Sequence, residues 1–261
     1  MNRTVKKVAI VSTKGGVGKS TVSANLCMAL FRSGFPVLGV DLDPQNALHL
    51  HFGGRNDRLD GISRATLEAR EWRDAAYQVD AGLAVLPYGL INENDRHEFE
   101  KRLTHDAHWL ERNLNQLPIA PETIVIIDTP PGPSTYLQQA LTTADLVIVV
   151  TLADAASYAT LPQMEKLIRN FCTSRDDFLG YSYLVNQYDP NKALSQDVLQ
   201  ALREQLPDST VEPVKFNQSV GEALAYGKTL IEYRPDSIVN KDYFSWAKWI
   251  LDHLEVTVPD T

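Results

Sequence analysis

Apolar and polar positions along this chain alternate in blocks. Seven short runs read as strands: Lys7–Val11, Val37–Asp41, Leu83–Leu86, Thr123–Asp128, Leu146–Val150, Tyr181–Asn186 and Val214–Phe216. Several are continuously apolar, Ile124-Val125-Ile126-Ile127 among them, the pattern of strands covered on both faces. Segments with helical spacing intervene at about Lys19–Ser33, Glu93–Leu117, Thr135–Thr142, Ala155–Cys172, Leu194–Gln205, Ser219–Tyr226 and Ser237–Leu254. The alternation predicts an α/β fold, a mostly parallel central sheet with helices on both faces. No repeat or low-complexity linker divides the 261 residues, so one domain spanning 1–261 is expected. The stretch at about 53–82 is polar, broken and charged. It reads as a surface insertion carrying a short helix.

The first strand and first helix are joined by Ser12-Thr13-Lys14-Gly15-Gly16-Val17-Gly18-Lys19-Ser20-Thr21. Strand, glycine loop and helix in that order make a phosphate-binding loop. Glycines let consecutive backbone N–H groups turn inward onto phosphate oxygens, and the helix N-terminus adds its dipole. Gly15, Gly16, Val17, Gly18, Lys19, Ser20 and Thr21 are therefore expected to hold ATP, with Lys19 on the β- and γ-phosphates and Ser20 on Mg²⁺. The motif departs from its commonest form by having Thr13 where the first glycine stands, followed at once by a second lysine, Lys14.

Two further segments supply carboxylates. Asp128 ends an apolar strand before Thr129-Pro130-Pro131-Gly132, facing the crevice beyond the strand ends where ligands of such sheets sit. It suits a Mg²⁺-organising role. Asp41 and Asp43, at i and i+2, point the same way at another strand end, an arrangement that costs energy unless a cation lies near. Asp41 is assigned to support of the Mg²⁺ shell and Asp43 to water activation; helix capping by the same residues is the plainer alternative.

Composition narrows the setting. Apolar content of 44% suffices for a sizeable core, and no run approaches the roughly 20 apolar residues of a membrane span. The basic residues Arg3, Lys6 and Lys7 precede too short an apolar run for an export signal. The two cysteines, Cys27 and Cys172, lack metal-ligand spacing and suit core packing in a reducing cytosol. A net charge of −8 argues against chain-wide affinity for nucleic acid.

Together these motifs resemble the MinD/ParA family of P-loop ATPases with the deviant motif Lys-Gly-Gly-Val-Gly-Lys. The resemblance covers nearly the whole chain, through Lys14–Thr21, Asp41–Gln45, Asp128–Gly132, and the late Ser219-Val220-Gly221-Glu222-Ala223 with Gly227-Lys228 and Glu232-Tyr233. It implies a homodimer with ATP sandwiched between subunits and Lys14 crossing to the partner's phosphates, since Lys14 has no evident task within its own subunit. It also implies adenine contacts for Asn186 and the segment around Pro213. A narrower resemblance lies in Gly61-Ile62 to Ala65, Leu67, Glu71–Ala75, Leu86–Gly89 and Glu232-Tyr233-Arg234 before a helix bearing Trp246 and Trp249. These look like the MinD-like ATPases of bacterial cellulose synthase operons, the cellulose synthesis protein Q family. That group implies a slow, switch-like ATPase assisting assembly or localisation of a cellulose synthase, with its cytosolic subunits and small operon companions as partners. A cytoplasmic protein recruited to the inner membrane or pole through partners is then expected.

Rival functions share the same loop. DNA partition needs a basic face, but from residue 200 onward Arg203, Lys215, Lys228, Arg234, Lys241 and Lys248 are outnumbered by acids. Membrane attachment through the last helix would use Trp246, Trp249, Ile250 and Leu254, yet its other face carries Asp242, Asp252 and Glu255 rather than bases. Packing against the sheet is the favoured role for that helix, and core filling for Trp72, Trp246 and Trp249. An iron–sulfur reductase would need cysteines in the loops, and a tyrosine kinase of this class a tyrosine-rich tail. A carboxylate-activating ligase stays open.

Overall fold

The computed structural model describes residues 5–55, 57, 59–206 and 211–256. Its strands are β1 (Lys6–Val11), β2 (Val37–Asp41), β3 (Tyr77–Asp80), β4 (Leu83–Leu86), β5 (Ile124–Asp128), β6 (Leu146–Leu152), β7 (Gly180–Tyr188) and β8 (Val211–Lys215). They form one sheet in the order β3-β4-β2-β5-β1-β6-β7-β8. Every pairing is parallel except β3 with β4. The helices are α1 (Lys19–Arg32), α2 (Ile62–Leu67), α3 (Glu93–His105), α4 (Trp109–Asn115), α5 (Thr135–Thr143), α6 (Ala155–Tyr158), α7 (Leu161–Phe171), α8 (Ala193–Gln205), α9 (Ser219–Ala225), α10 (Leu230–Tyr233) and α11 (Asn240–His253).

Continuous apolar strands become fully covered strands. All five residues of β2 and of β5 are buried. Val8, Ile10, Ile124 and Ile126 face one core with Leu26 and Leu30 of α1 and Tyr243, Trp246 and Ile250 of α11. The intervening Ala9, Val11, Val125 and Ile127 face the other, with Phe99, Trp109, Tyr136 and Leu141. The period of two in a strand divides one apolar run between two cores. Tyr243, Trp246, Ala247 and Ile250 of α11 are buried in this packing, as the core-filling reading of Trp246 expects, while Trp249 is only partly buried and Phe244 is exposed. Among the described residues no helix is long and apolar enough to cross a membrane. Cys27 and Cys172 are free and buried, and burial pushes the Cys172 thiol up to about 12.

Three expectations are corrected. The single helix expected over Glu93–Leu117 is two, because Gln139 of α5 enters the break: its amide donates to Leu103 O at 3.0 Å and Asp106 O at 2.6 Å, and its oxygen accepts from Leu110 N at 3.1 Å. A buried side chain thus satisfies backbone groups that a continuous helix would have paired. The helix expected over Ala155–Cys172 is likewise α6 and α7, with Pro162 in the first turn of α7, where its missing N–H costs nothing. Within the 53–82 stretch, β3 joins the sheet as its antiparallel edge, a strand absent from the expectation, and Trp72 is buried edge-to-face on Trp109 with ring centroids 5.0 Å apart.

This stretch is fastened to the segment after β4, which in turn bonds the loop after β2. Gly61 lies so close to Tyr88 and Gly89 that any Cβ there would collide with their backbone. Ile62 and Ser63 donate to Pro87 O and Tyr88 O, and Gly89 N donates to Asn46 Oδ1 at 3.2 Å. Just beyond Asn46, His51 in the 3-10 turn Leu48–Phe52 is 2% exposed, and burial lowers its pKa to about 4. Unfolding restores a value near 6.5, so this neutral imidazole supports folding above that pH and its contribution falls as pH drops toward 4. Chemical denaturation should show about 2 kcal/mol of stability lost through His51 between pH 7 and pH 5, and a His51→Gln variant should lack that component of the slope.

Candidate nucleotide site

The site forms where β1, β2 and β5 end. β1 delivers Ser12 to the loop, and α1 starts at Lys19 with Gly18 as its N-cap in left-handed geometry (φ 83°). Gly18 also faces the Asn186 amide, which donates to Val17 O at 2.8 Å; a Cβ would overlap that nitrogen. Glycine is needed here twice over, for conformation and for space. Gly15 and Gly16 are exposed at the mouth, while Val17 is buried beneath. Ser20 and Thr21 are half-buried in the first turn of α1.

Lys19 is 7% exposed, and its Nζ lies 3.9 Å from Asp128 Oδ1 and 4.0 Å from Asp43 Oδ2. Asp41 and Asp128 are neighbours in sheet register, and both are completely buried. One lysine therefore sits against two carboxylates, with the third, Asp41, beside Asp128 in the sheet. Burial first, and then the Asp128 charge, push the Asp41 carboxyl well above its usual range. Burial likewise raises Asp43, against the opposing pull of the Gln45 N–H and Lys19. Asp128 Oδ1 accepts from Ser23 Oγ at 2.9 Å, while its Oδ2 is buried without a partner.

The carboxylates have different partners. Asp41 Oδ1 accepts Asp43 N at 2.9 Å and Oδ2 accepts Leu48 N at 3.0 Å, so Asp41 clasps both ends of the loop that carries Asp43. Asp43 Oδ1 accepts Gln45 N at 2.9 Å, leaving Oδ2 toward Lys19. The structure thus gathers Lys19, Asp41, Asp43 and Asp128 around the glycine loop. Asn186 reaches the loop backbone through its amide. Pro213 pairs in register with Val185 on the edge strand and lines a separate cavity of about 300 Å³ with Lys215, Asp242 and Trp246. No phosphate-loop residue lines that cavity.

Lys14 does have a partner in its own subunit. Its Nζ lies 3.8 Å from Asp154 Oδ1, with the two side chains 36% and 39% exposed. Asp154 follows β6 and caps α6 by accepting Ser157 N at 2.6 Å. Thr13 similarly meets Thr160, with their hydroxyl oxygens 2.6 Å apart. An exposed pair of this kind contributes at most about 1 kcal/mol, so it holds Lys14 at the rim without committing it. Asp154 was legible in principle as a polar residue ending an apolar strand and opening a helix; Ser23 was legible as a hydroxyl on the buried face of α1.

The residues fit phosphate with a divalent cation. The glycine cradle suits an anion, and the surplus of carboxylate with an orphaned Asp128 oxygen suits a cation beside it. Among the described residues no three His, Cys, Asp or Glu side chains form a metal cage of their own. A cation here would draw mainly on phosphate, hydroxyl and water, as Mg²⁺ does in nucleotide sites.

Comparisons with known proteins extend this picture beyond the loop. The family model described as "Cellulose biosynthesis protein BcsQ" matches residues 5–251. The chain is 26% identical over 255 residues to cellulose biosynthesis protein BcsQ of Escherichia coli (strain K12), covering 94% of this chain and 93% of that one. It is 29% identical over 255 residues to chromosome partitioning protein ParA of Caulobacter vibrioides (strain NA1000 / CB15N), covering 95% and 94%. The solved structure of cobyrinic acid a,c-diamide synthase from Mycobacterium smegmatis, with bound ATP analog and magnesium, is similar with a TM-score of 0.77 at 25% identity over 96% of each chain. The family match runs from β1 through the glycine loop and the 53–82 stretch into α11, and by it this chain belongs to the cellulose biosynthesis protein BcsQ family.

Proposed function

We propose that this protein is an ATP-dependent dimerising switch that supports assembly, localisation or activity of a bacterial cellulose synthase complex. The carrying observation is the contrast between its two loop lysines. Lys19 is buried among carboxylates, where it can serve only the nucleotide of its own subunit, whereas Lys14 stands half-exposed at the rim on a weak pair with Asp154. A rim lysine released at little cost suits contact with phosphates bound by a second copy.

In this reading the backbone N–H groups of residues 15–19 and the Lys19 ammonium bind the phosphates, and Ser20 and Asp128 hold Mg²⁺. Mg²⁺ there would neutralise charge on the β- and γ-phosphate oxygens. Asp43 orients the attacking water, and Asp41 keeps Asp43 in place through the loop's backbone. The partner-facing surface is assigned to the 53–82 stretch. Beside it a cavity of about 650 Å³ is lined by Arg70, Arg73, Trp72, Trp109 and Arg112, a place for cytosolic synthase subunits or small operon companions to bind. Recruitment to the membrane would come through them, since Trp246 and Ile250 of α11, and Leu254 just after it, are spent on the core.

Hydrolysis in such a switch is slow. Turnover by the protein alone should stay below about 1 s⁻¹, under the usual metabolic range near 10 s⁻¹, and Asp43→Ala should hold the ATP-bound dimer without hydrolysing it. Rapid phosphate release by Asp43→Ala would remove Asp43 from the mechanism. The trapped variant is also the bait that tests the assignment. Capture of cytosolic synthase subunits from lysate supports it, whereas capture of bulk DNA at physiological salt supports the partition role named for the Caulobacter relative.

A further inference from the structure

We infer that Ser23 is a positioning residue for Asp128, fixing which carboxylate oxygen faces the cation. The inference rests on the Mg²⁺-dependent ATPase reading above.

Ser23 lies one helical turn after Lys19 and is completely buried. Alanine is the better helix former at such a position, and a buried hydroxyl costs free energy unless it is bonded. Ser23 Oγ has two acceptors, Asp128 Oδ1 at 2.9 Å and Lys19 O at 3.1 Å, but one proton. The Lys19 carbonyl already receives the Ser23 N–H in the α-helical pattern, and a carboxylate is the stronger acceptor. The hydroxyl proton therefore belongs to Asp128.

The carboxylate is held asymmetrically. Oδ1 has Ser23 at hydrogen-bond distance and Lys19 Nζ at 3.9 Å; Oδ2 is buried with no partner. Rotation about the last torsion of an aspartate is soft, so the carboxylate plane is not fixed by its own rotamer. When phosphates draw Lys19 toward themselves, Ser23 is the donor that remains. It sits on α1, whose residues from Val22 to Leu30 are all buried, so it does not follow the ligand. Ser23 thereby holds Oδ1 and leaves Oδ2, which has no protein partner, as the oxygen that would serve the cation. Partners one bond removed from a metal characteristically change its affinity tenfold or more.

The test titrates Mg²⁺ against binding of a fluorescent non-hydrolysable ATP analogue, together with Mn²⁺ binding followed by electron paramagnetic resonance. Ser23→Ala should raise the Mg²⁺ concentration for half-maximal binding about tenfold, leaving analogue affinity in EDTA unchanged. Unchanged affinity in EDTA also shows that the variant folds. In an Asp128→Ala background the same substitution should have no further effect on Mg²⁺ dependence. Wild-type binding that ignores Mg²⁺ would overturn the underlying reading of the site. A wild type that needs Mg²⁺ beside a Ser23→Ala protein with the same requirement would overturn the role of Ser23 alone. An undiminished effect in the Asp128→Ala background would show that Ser23 acts through some other group.

Discussion

Lys19→Ala should lose ATP affinity by about 30- to 150-fold in an equilibrium titration, the equivalent of some 2–3 kcal/mol for a charge-assisted contact with phosphate. The same substitution should leave a second signature without nucleotide. Lys19 is the cation within 4.0 Å of both Asp43 and Asp128, in a place where Asp41 is also buried. Removing it raises the cost of keeping Asp43 ionised, since burial already raises that carboxyl and Lys19 opposes the rise. Protonation relieves that cost at low pH and not at high pH, so the stability deficit of the variant should widen from pH 5.5 to pH 8. A deficit that is flat across that range, measured by thermal unfolding of the nucleotide-free protein, would mean that Lys19 does not compensate Asp43. Affinity within threefold of wild type would remove it from the phosphate site.

Lys14→Ala should behave oppositely. Affinity for ATP should change less than about twofold, and stability by no more than the about 1 kcal/mol of an exposed ion pair. The ATP-dependent dimer, followed by size exclusion with light scattering, should disappear. The two variants together separate binding from association: one fails to take up nucleotide, the other takes it up and stays a monomer. A Lys14→Ala protein that dimerises with ATP as the wild type does would end the cross-subunit assignment and leave the Lys14 ammonium its pair with Asp154.

What was legible in the chain and what was not divides by range. The glycine loop, the strand-end aspartates and the covered strands are local patterns, so adjacency alone exposed Lys19, Asp41, Asp43 and Asp128. Asp154 is remote from Lys14 in sequence, and no local rule joins them. The break between α3 and α4 is set by Gln139, a residue of another helix whose amide satisfies the freed backbone groups. β3 was missed because Tyr77-Gln78-Val79-Asp80 alternates half-buried with exposed positions at the sheet edge, and so reads as polar surface. The adenine assignments of Asn186 and Pro213 came from resemblance. The structure connects the first to the loop backbone and seats the second on an edge strand beside another cavity.

The bond from Gly89 N to Asn46 Oδ1 has a practical consequence. Asn46 belongs to the same loop as Asp43, and the Asp43 carbonyl accepts the Asn46 N–H at 2.8 Å. The amide proton of Gly89 is thus held by a side chain of the loop that carries Asp43. Deuterium uptake at that single glycine, far along the chain from the glycine loop, becomes a gauge of how often the Asp43 loop opens.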